Sequence, residues 1–196
     1  MSSCLVRGPG VVGSGWPVSG ILFGPGSGSG KAYIWNNIVY DCAPNTSSDG
    51  IGTWSTSSHT VYVYNNTVQN AVIGYHRNNT EIYVAKNNIA QDCTTDGFTG
   101  TFDAASNYNN SDFASDAPGA NSTTGEVTFL DEANDNFHLG AADAYALNAG
   151  TDLSADSNLA VTDDVDGQPR TGTFDIGADE VPTARPGASH QYPAVY

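Results

Sequence analysis

The sequence predicts an all-β fold in which the chain winds into a short solenoid of stacked parallel strands. Three observations carry that reading. An Asn-Asn pair returns three times within runs of β-branched and aromatic residues, at Asn36-Asn37, Asn65-Asn66 and Asn87-Asn88, after intervals of 29 and then 22 residues. A second register follows each pair: Asp49-Gly50-Ile51-Gly52-Thr53-Trp54, Ala71-Val72-Ile73-Gly74-Tyr75-His76 and Asp96-Gly97-Phe98-Thr99-Gly100-Thr101. With 22 glycines and 14% charged residues in 196, against roughly 7% and roughly 25% in average proteins, the composition suits corners and turns better than helices.

In chain order, Ser19-Gly20-Ile21-Leu22-Phe23 is an early copy of the second register. Ile34 to Cys42 is the first full strand-corner-strand unit, and Asp49 to Trp54 completes it. Val61, Val63 and Val68 show the alternation of half-buried strands, and Ala71 to His76 closes the second unit. Ala85 to Cys93 and Asp96 to Thr101 make the third. The Asn and Gly between runs tolerate positive φ at tight corners. A strand, a corner, a strand and a wider loop in about 22 residues form one coil, not a hairpin. Equivalent residues then stack roughly 4.8 Å apart. On this register Asn36, Asn65 and Asn87 are expected to form a ladder of amide hydrogen bonds, and Ile51, Ile73 and Phe98 to point inward.

Residues 103–125, rich in Asn, Asp, Ser, Ala and Gly, are expected to form a long loop or an irregular last coil. The segment 126–181 is expected to cap the stack, because a solenoid exposes apolar core and unpaired backbone at its ends. Within it, Ala144 to Asn148 is expected to form one helical turn ended by Gly150. The predicted organisation is therefore coils over 1–110, a last coil and cap over 111–181, and a tail or linker over 182–196. The coils begin almost at residue 5 without an amphipathic cap. The chain is thus expected to be a fragment of a longer protein or one that self-associates through its N-terminal rung.

The repeat resembles that of right-handed parallel β-helix proteins, found among secreted carbohydrate-active proteins and adhesins. Val127-Thr128-Phe129-Leu130-Asp131, Asn136-Phe137-His138-Leu139, Ala144 to Gly150, Asp164-Val165-Asp166-Gly167-Gln168-Pro169-Arg170 and Asp175-Ile176-Gly177-Ala178-Asp179-Glu180 follow in order. As an ordered set they resemble the DIGA-x-E type tail of bacterial members of that pectate-lyase-like superfamily. Asp179 departs from the pattern where an aromatic residue is usual, and Ala142-Asp143-Ala144-Tyr145 replaces a Ser-Pro turn. The resemblance implies a right-handed parallel β-helix with an irregular C-terminal cap, and an extracellular, glycan-related role.

Six Lys and Arg stand against 21 Asp and Glu, a formal charge of −15, so nucleic-acid and anionic-membrane partners are excluded by repulsion. No run of eighteen apolar residues exists for membrane insertion, and the opening Met1-Ser2-Ser3-Cys4 has no secretion-signal pattern. The acidic, Asn-rich, Lys-poor composition suits an extracellular or cell-surface setting. Cys4, Cys42 and Cys93 form no CxxC pair, which signals neither a zinc site nor a disulfide framework. One bridge, such as Cys42 to Cys93, stays open.

Period two places Trp54, His76 and Thr101 outward, with Arg77 next to His76, while Tyr33, Trp35, Tyr62 and Tyr64 share outward parity on another strand. Flat rings on a rigid sheet can stack on the apolar faces of sugar rings. Trp54, His76, Arg77, Tyr62 and Tyr64 are therefore the expected binding face for a polysaccharide or cell-surface glycan. The alternative is that the aromatics pack beneath the loops at 43–49 and 55–59.

A rival reading is a polysaccharide lyase or glycoside hydrolase. A lyase abstracts the proton α to a uronate carboxylate with a neutral base, usually with calcium neutralising the acid. Its candidate residues are Arg77, Lys86, Asp92 and Asp96. Asp41 and Asp92 stand two rungs apart, roughly 9.6 Å, too far to share one ion. Asp49 and Asp96 could supply the carboxylate pair of an inverting hydrolase, roughly 6.5 to 9.5 Å apart, although Asp at a corner more often makes an Asx turn. The paired-Asp and Arg-x-Lys signatures of polygalacturonase-like enzymes are absent, so binding or self-association is favoured over catalysis. A third reading is a fibre-forming structural subunit.

The chain is expected to carry no cofactor, or calcium at Asp163, Asp164 and Asp166, which with Gly167 resemble half of a calcium loop lacking its distal Glu. The alternative there is an ordinary turn whose acids pair with Arg170. His59, His76, His138 and His190 show no zinc-ligand spacing, and His138 is expected to be structural. Asn45, Asn65, Asn78, Asn109 and Asn121 head N-x-Ser/Thr triplets.

Overall fold

The computed structural model describes residues 1–8, 19–24, 27–43 and 48–182. In chain order the strands are β1 (Ser2–Arg7), β2 (Ile21–Phe23), β3 (Lys31–Cys42), β4 (Asp49–Thr53), β5 (Thr60–Tyr64), β6 (Thr67–Ala71) and β7 (Ile73–Arg77). There follow β8 (Ile82–Lys86), β9 (Ile89–Gln91), β10 (Asp96–Thr99), β11 (Asn110–Ser111), β12 (Thr123–Thr124), β13 (Phe129–Asp131) and β14 (Asn136–Leu139). Among the described residues β13 and β14 pair antiparallel, and every other pairing between these strands is parallel. The described residues are therefore all-β with parallel sheets, as the repeat predicts.

The parallel strands make three ladders. The first joins Lys31–Trp35 of β3 to β5 and β8. The second joins the far half of β3 to β1 on one strand edge and to β6, β9, β11 and β12 in succession on the other. The third is β2, β4, β7 and β10. Between the first two ladders the chain turns at Asn36, Asn65, Asn87 and Tyr108, with φ of 52°, 52°, 53° and 56°. Past the second ladder it turns at Asp41, Asn70 and Asp92, with φ of 57°, 54° and 53°. Asn and Asp recur because a left-handed corner costs them least among residues with a side chain.

That geometry moves the expected amide ladder by one residue. The corner Asn36, Asn65 and Asn87 point away from the core, and the second Asn of each pair forms the ladder. Asn37 donates its backbone N–H and its Nδ2 to Asn66 Oδ1 at 3.0 and 2.9 Å. Asn66 repeats both bonds to Asn88 Oδ1, and Asn88 to Asn109 Oδ1. The Asn109 N–H ends the series on Ser122 Oγ. The second ladder thus continues past residue 110 into the segment expected to be a long loop or an irregular last coil, where Tyr108-Asn109 forms a fourth corner and the Asn109-Asn110 pair stands one residue out of register with the other three.

Ile34, Val39, Ile51, Val61, Val63, Val68, Tyr75, Tyr83 and Phe98 fill the space between the ladders. The inward column of the third ladder is Ile21, Ile51, Tyr75 and Phe98, so Tyr75 takes the place expected for Ile73. Ile73 aligns with Asp49 and Asp96 instead. Gly20, Gly50 and Gly74 stack where two ladders converge: a Cβ on Gly50 would stand 2.3 Å from Val68 Cγ1 and 2.8 Å from the Gly74 carbonyl.

The end of the stack is closed by short side chains. Ser106 Oγ accepts from the Ala85 N–H, Asp112 Oδ2 from Asp92 N–H, and Asp116 Oδ2 from the N–H groups of Gly97 and Phe98. The segment expected to be that cap runs along the flank. Asn36 Nδ2 donates to the Asp163 carbonyl, Asn65 Nδ2 to that of Gly177, and Asn87 Nδ2 to that of Thr151. Val127, Phe129, Phe137, Leu139 and Ile176 cover the outer side of the second ladder at Ile38, Tyr40 and Ile89, while Leu153, Val161 and Phe174 cover the first. Asp143 Oδ1 accepts the N–H groups of Tyr145, Ala146 and Leu147 and so holds a non-helical turn where one helical turn ended by Gly150 is expected; the left-handed residue that closes it is Asn148, with φ 52°. Cys42 and Cys93 are buried and unbridged. No helix among the described residues is long and apolar enough to cross a membrane.

Candidate functional site

The outer side of the third ladder assembles part of the expected binding face. Leu22, Gly52, His76 and Thr99 share one register position, and Asp49, Ile73 and Asp96 another. His76 Nδ1 lies 3.0 Å from Asp49 Oδ1. Gly52 permits this, because a Cβ there would come within 2.6 Å of Asp49 Oδ2. One rung on, Thr99 Oγ1 donates to Asp96 Oδ2 at 3.0 Å. Trp54 extends β4 with the parity of Gly52, its N–H bonded to the Phe23 carbonyl, and is 50% exposed; Leu22 is 54% exposed. Arg77 aligns with Thr53, and its Nε donates to the Glu81 carbonyl. The two-residue shift of β7 preserves parity, so His76 faces outward as expected, but it stacks on Gly52 and not on Trp54.

The other half of the expected face is buried. Tyr62 and Tyr64 do point out of the first ladder, but they are 8% and 0% exposed beneath Leu153, Val161 and Phe174. Tyr62 stacks on Tyr33 with centroids 5.6 Å apart, and its hydroxyl donates to Asn158 Oδ1. The strip is therefore an internal contact. Its cover comes from the C-terminal segment and not from the loops at 43–49 and 55–59, part of which, with Asn45 and His190, lies outside the described residues. Asn65 and Asn109 are fully buried, which removes them as glycan acceptors.

The candidate catalytic residues are dispersed. Lys86 leaves the first ladder, donates to Asp156 Oδ2 at 2.8 Å and lies over the Tyr64 ring. Arg77 and Asp96 belong to the third ladder, and Asp92 to the corner after the second, where Gln69 Nε2 donates to it. The four candidates share no surface; the base that does stand between carboxylates is the exposed Arg7, 2.9 Å from Asp41 and 3.4 Å from Asp135, which none of the expected sites includes. A group that sequence reading missed lies at the end of β4: Ser55 Oγ is 3.1 Å from His59 Nδ1, and the Ser55 N–H donates to buried Glu81 Oε1. It lacks the order of a hydrolytic triad, since Glu81 holds the Ser55 backbone and not the imidazole, and Ser55 Oγ accepts from the Ser57 N–H.

The three acids of the expected calcium half-loop do not gather their carboxylates at one point. Asp164 Oδ1 accepts the N–H groups of Asp166 and Gln168, making an Asx-type turn. Asp163 contributes its carbonyl to Asn36 Nδ2 and Arg170 Nε. Arg170 pairs with Glu180 at 3.0 Å and not with these acids. Asp164 Oδ2 accepts the Glu180 N–H, and Asp166 turns elsewhere, with its Oδ2 2.8 Å from His138 Nε2. Burial pushes the carboxyl of Asp179 up to about 6 and that of Glu180 up to about 7, against the opposing pull of His138 on the first and Arg170 on the second.

No family model, curated protein or solved structure matches the chain.

Proposed function

We propose that the three ladders are the faces of a short right-handed parallel β-helix, and that the outer side of the third is a glycan-binding surface on an extracellular protein. The repeat length, the left-handed corners and the core shared by all three ladders support the architecture. The binding reading is carried by the half-exposed Trp54 on a register-locked sheet. Its ring can stack on a sugar face, while the His76–Asp49 and Thr99–Asp96 pairs offer fixed polar groups to hydroxyls. The charge of −15 favours a neutral polysaccharide over a uronate polymer. The lyase and hydrolase reading has less support, because Arg77 and Lys86 stand on different ladders and Lys86 is committed to Asp156.

A glycan array followed by calorimetry on the best ligand tests the reading. Trp54→Ala is expected to keep the wild-type melting temperature and to lose at least tenfold in affinity. Absence of binding across neutral glycans, or binding that survives the substitution unchanged, overturns it.

A further inference from the structure

Three segments of the flank meet at a group that none of the expected sites includes. His138 comes from β14, Asp166 from the turn formed by Asp164, and Asp179 from the closing DIGA-x-E segment. One ligand atom from each lies within 4.8 Å of the others. Two relationships single this group out among the many acids of the chain.

The first is the hydrogen-bond order around His138. Its Nδ1 lies 2.6 Å from Asn136 Oδ1, an oxygen that also accepts the His138 N–H, so the ring donates there. A neutral imidazole then turns its Nε2 lone pair toward Asp166 Oδ2 at 2.8 Å. Two acceptors at that distance require a positive centre between or beside them, either a second ring proton or a cation. The second is Asp179. It is 3% exposed; its Oδ2 accepts the Leu139 N–H, and its Oδ1 is buried with no hydrogen-bond partner. A buried carboxylate oxygen without a donor is costly, and this carboxylate stands with an oxygen within 4.8 Å of the histidine nitrogen and of the Asp166 carboxylate.

We propose that His138, Asp166 and Asp179 bind a divalent first-row transition-metal ion of the zinc type, tying the closing segment and the 164–169 turn to β14. One nitrogen and two carboxylate ligands suit zinc, cobalt or manganese, whereas calcium takes six to eight oxygens. Ligands on bonds of about 2.1 Å stand roughly 3 to 4.2 Å apart. An ion would therefore separate Nε2 from Oδ2 by a few tenths of an ångström and draw the Asp179 oxygen inward. Asn136 fixes the imidazole tautomer that leaves Nε2 to the metal, as an outer-shell acceptor does in known histidine sites. Asp166 stands on an exposed turn with 16% of its side chain accessible, which leaves a path from solvent and room for water to complete the coordination.

Metal-stripped full-length protein titrated with zinc chloride tests this, with cobalt chloride as the spectroscopic probe. One zinc per chain is expected, with a melting-temperature rise of roughly 5–10 °C at a hundredfold excess over Kd. Cobalt should give the visible absorption of a mixed nitrogen and oxygen site. His138→Gln and Asp179→Asn should each weaken uptake at least tenfold, while Asp163→Asn should not. A zinc-dependent shift of the His138 ring nitrogens in NMR spectra of the wild type decides the matter even if a variant fails to fold. Absence of saturable uptake identifies the group as an imidazolium held by carboxylates and overturns the proposal. So does uptake that survives both ligand substitutions, or saturation by calcium in preference to zinc.

Discussion

The Arg170 guanidinium donates to Glu180 Oε2 at 3.0 Å from a side chain with no solvent exposure. The same group reaches the carbonyls of Asp163, Gly177 and Ala178, and Glu180 Oε2 also accepts the Asp175 N–H. Asp175 in turn accepts from Asn148 and Val181. The D-x-DG-x-P-R and DIGA-x-E motifs are therefore two halves of one hydrogen-bonded knot that ties the flank to itself. Arg170→Met strands a buried carboxylate and several carbonyls, and should lower stability by about 3–5 kcal/mol in urea unfolding. Arg170→Lys keeps the charge but lacks the planar fork, and should recover less than half of that loss. The double variant with Glu180→Gln should be more stable than Arg170→Met alone.

Asn65 and Asn66 are neighbours with different tasks, and substitution should separate them. Asn66→Ala removes the acceptor for two Asn37 donors and the Nδ2 donor to the carbonyls of Ile34 and Tyr64. Each buried group left unpaired costs about 1–3 kcal/mol, so the loss should reach about 3 kcal/mol or more. Asn65→Gly keeps the left-handed corner at φ 52° and gives up only the amide contact to the flank. It should cost about 1 kcal/mol, and Asn65→Ala more than Asn65→Gly. Equal losses for Asn65→Gly and Asn66→Ala would contradict this division of roles.

Gly74 leaves no room for a side chain. A Cβ there would lie 2.5 Å from the Gly97 carbonyl and 2.9 Å from Ala90 Cβ, both on neighbouring strands of the packed interior. Gly74→Ala should lower stability by about 1–3 kcal/mol through overpacking. Gly28, with nothing within 4 Å of a Cβ but a φ of 116°, provides the contrast of strain without crowding.

The repeat and its parallel pairing were legible in the sequence because the Asn pairs mark corners that few other residues tolerate. Which Asn of each pair forms the ladder was not legible, since either parity satisfies the spacing until the corner φ is known. The fourth corner escaped because Tyr108 occupies the left-handed position that Asn takes elsewhere. Outward parity for Tyr62 and Tyr64 was readable, but their cover arrives from Leu153, Val161 and Phe174, some 89 to 112 residues later, and no local pattern announces it. Shorter separations, 13 to 41 residues, hid the meeting of His138, Asp166 and Asp179: its one signal was Asp179 standing in place of the usual aromatic residue.

Burial pushes the thiol of Cys42 up to about 11 and that of Cys93 up to about 12. Each Sγ contacts a backbone carbonyl, of Tyr40 and Gln91, as a neutral thiol donor. Because the thiolate is the nucleophile, neither should react with a disulfide reagent at pH 8 on the timescale of an exposed thiol, and both should react on unfolding. The sign for stability follows from the neutral form being favoured in the fold. The thiols' contribution is complete below the ordinary thiol pKa of about 8.5 and is lost as pH rises through 11 to 12. Stability measured between pH 9 and 11 should therefore fall more steeply in the wild type than in Cys93→Ala. Rapid labelling of both buried cysteines in the native protein at pH 8 would show that the space between the ladders is open to solvent and not packed.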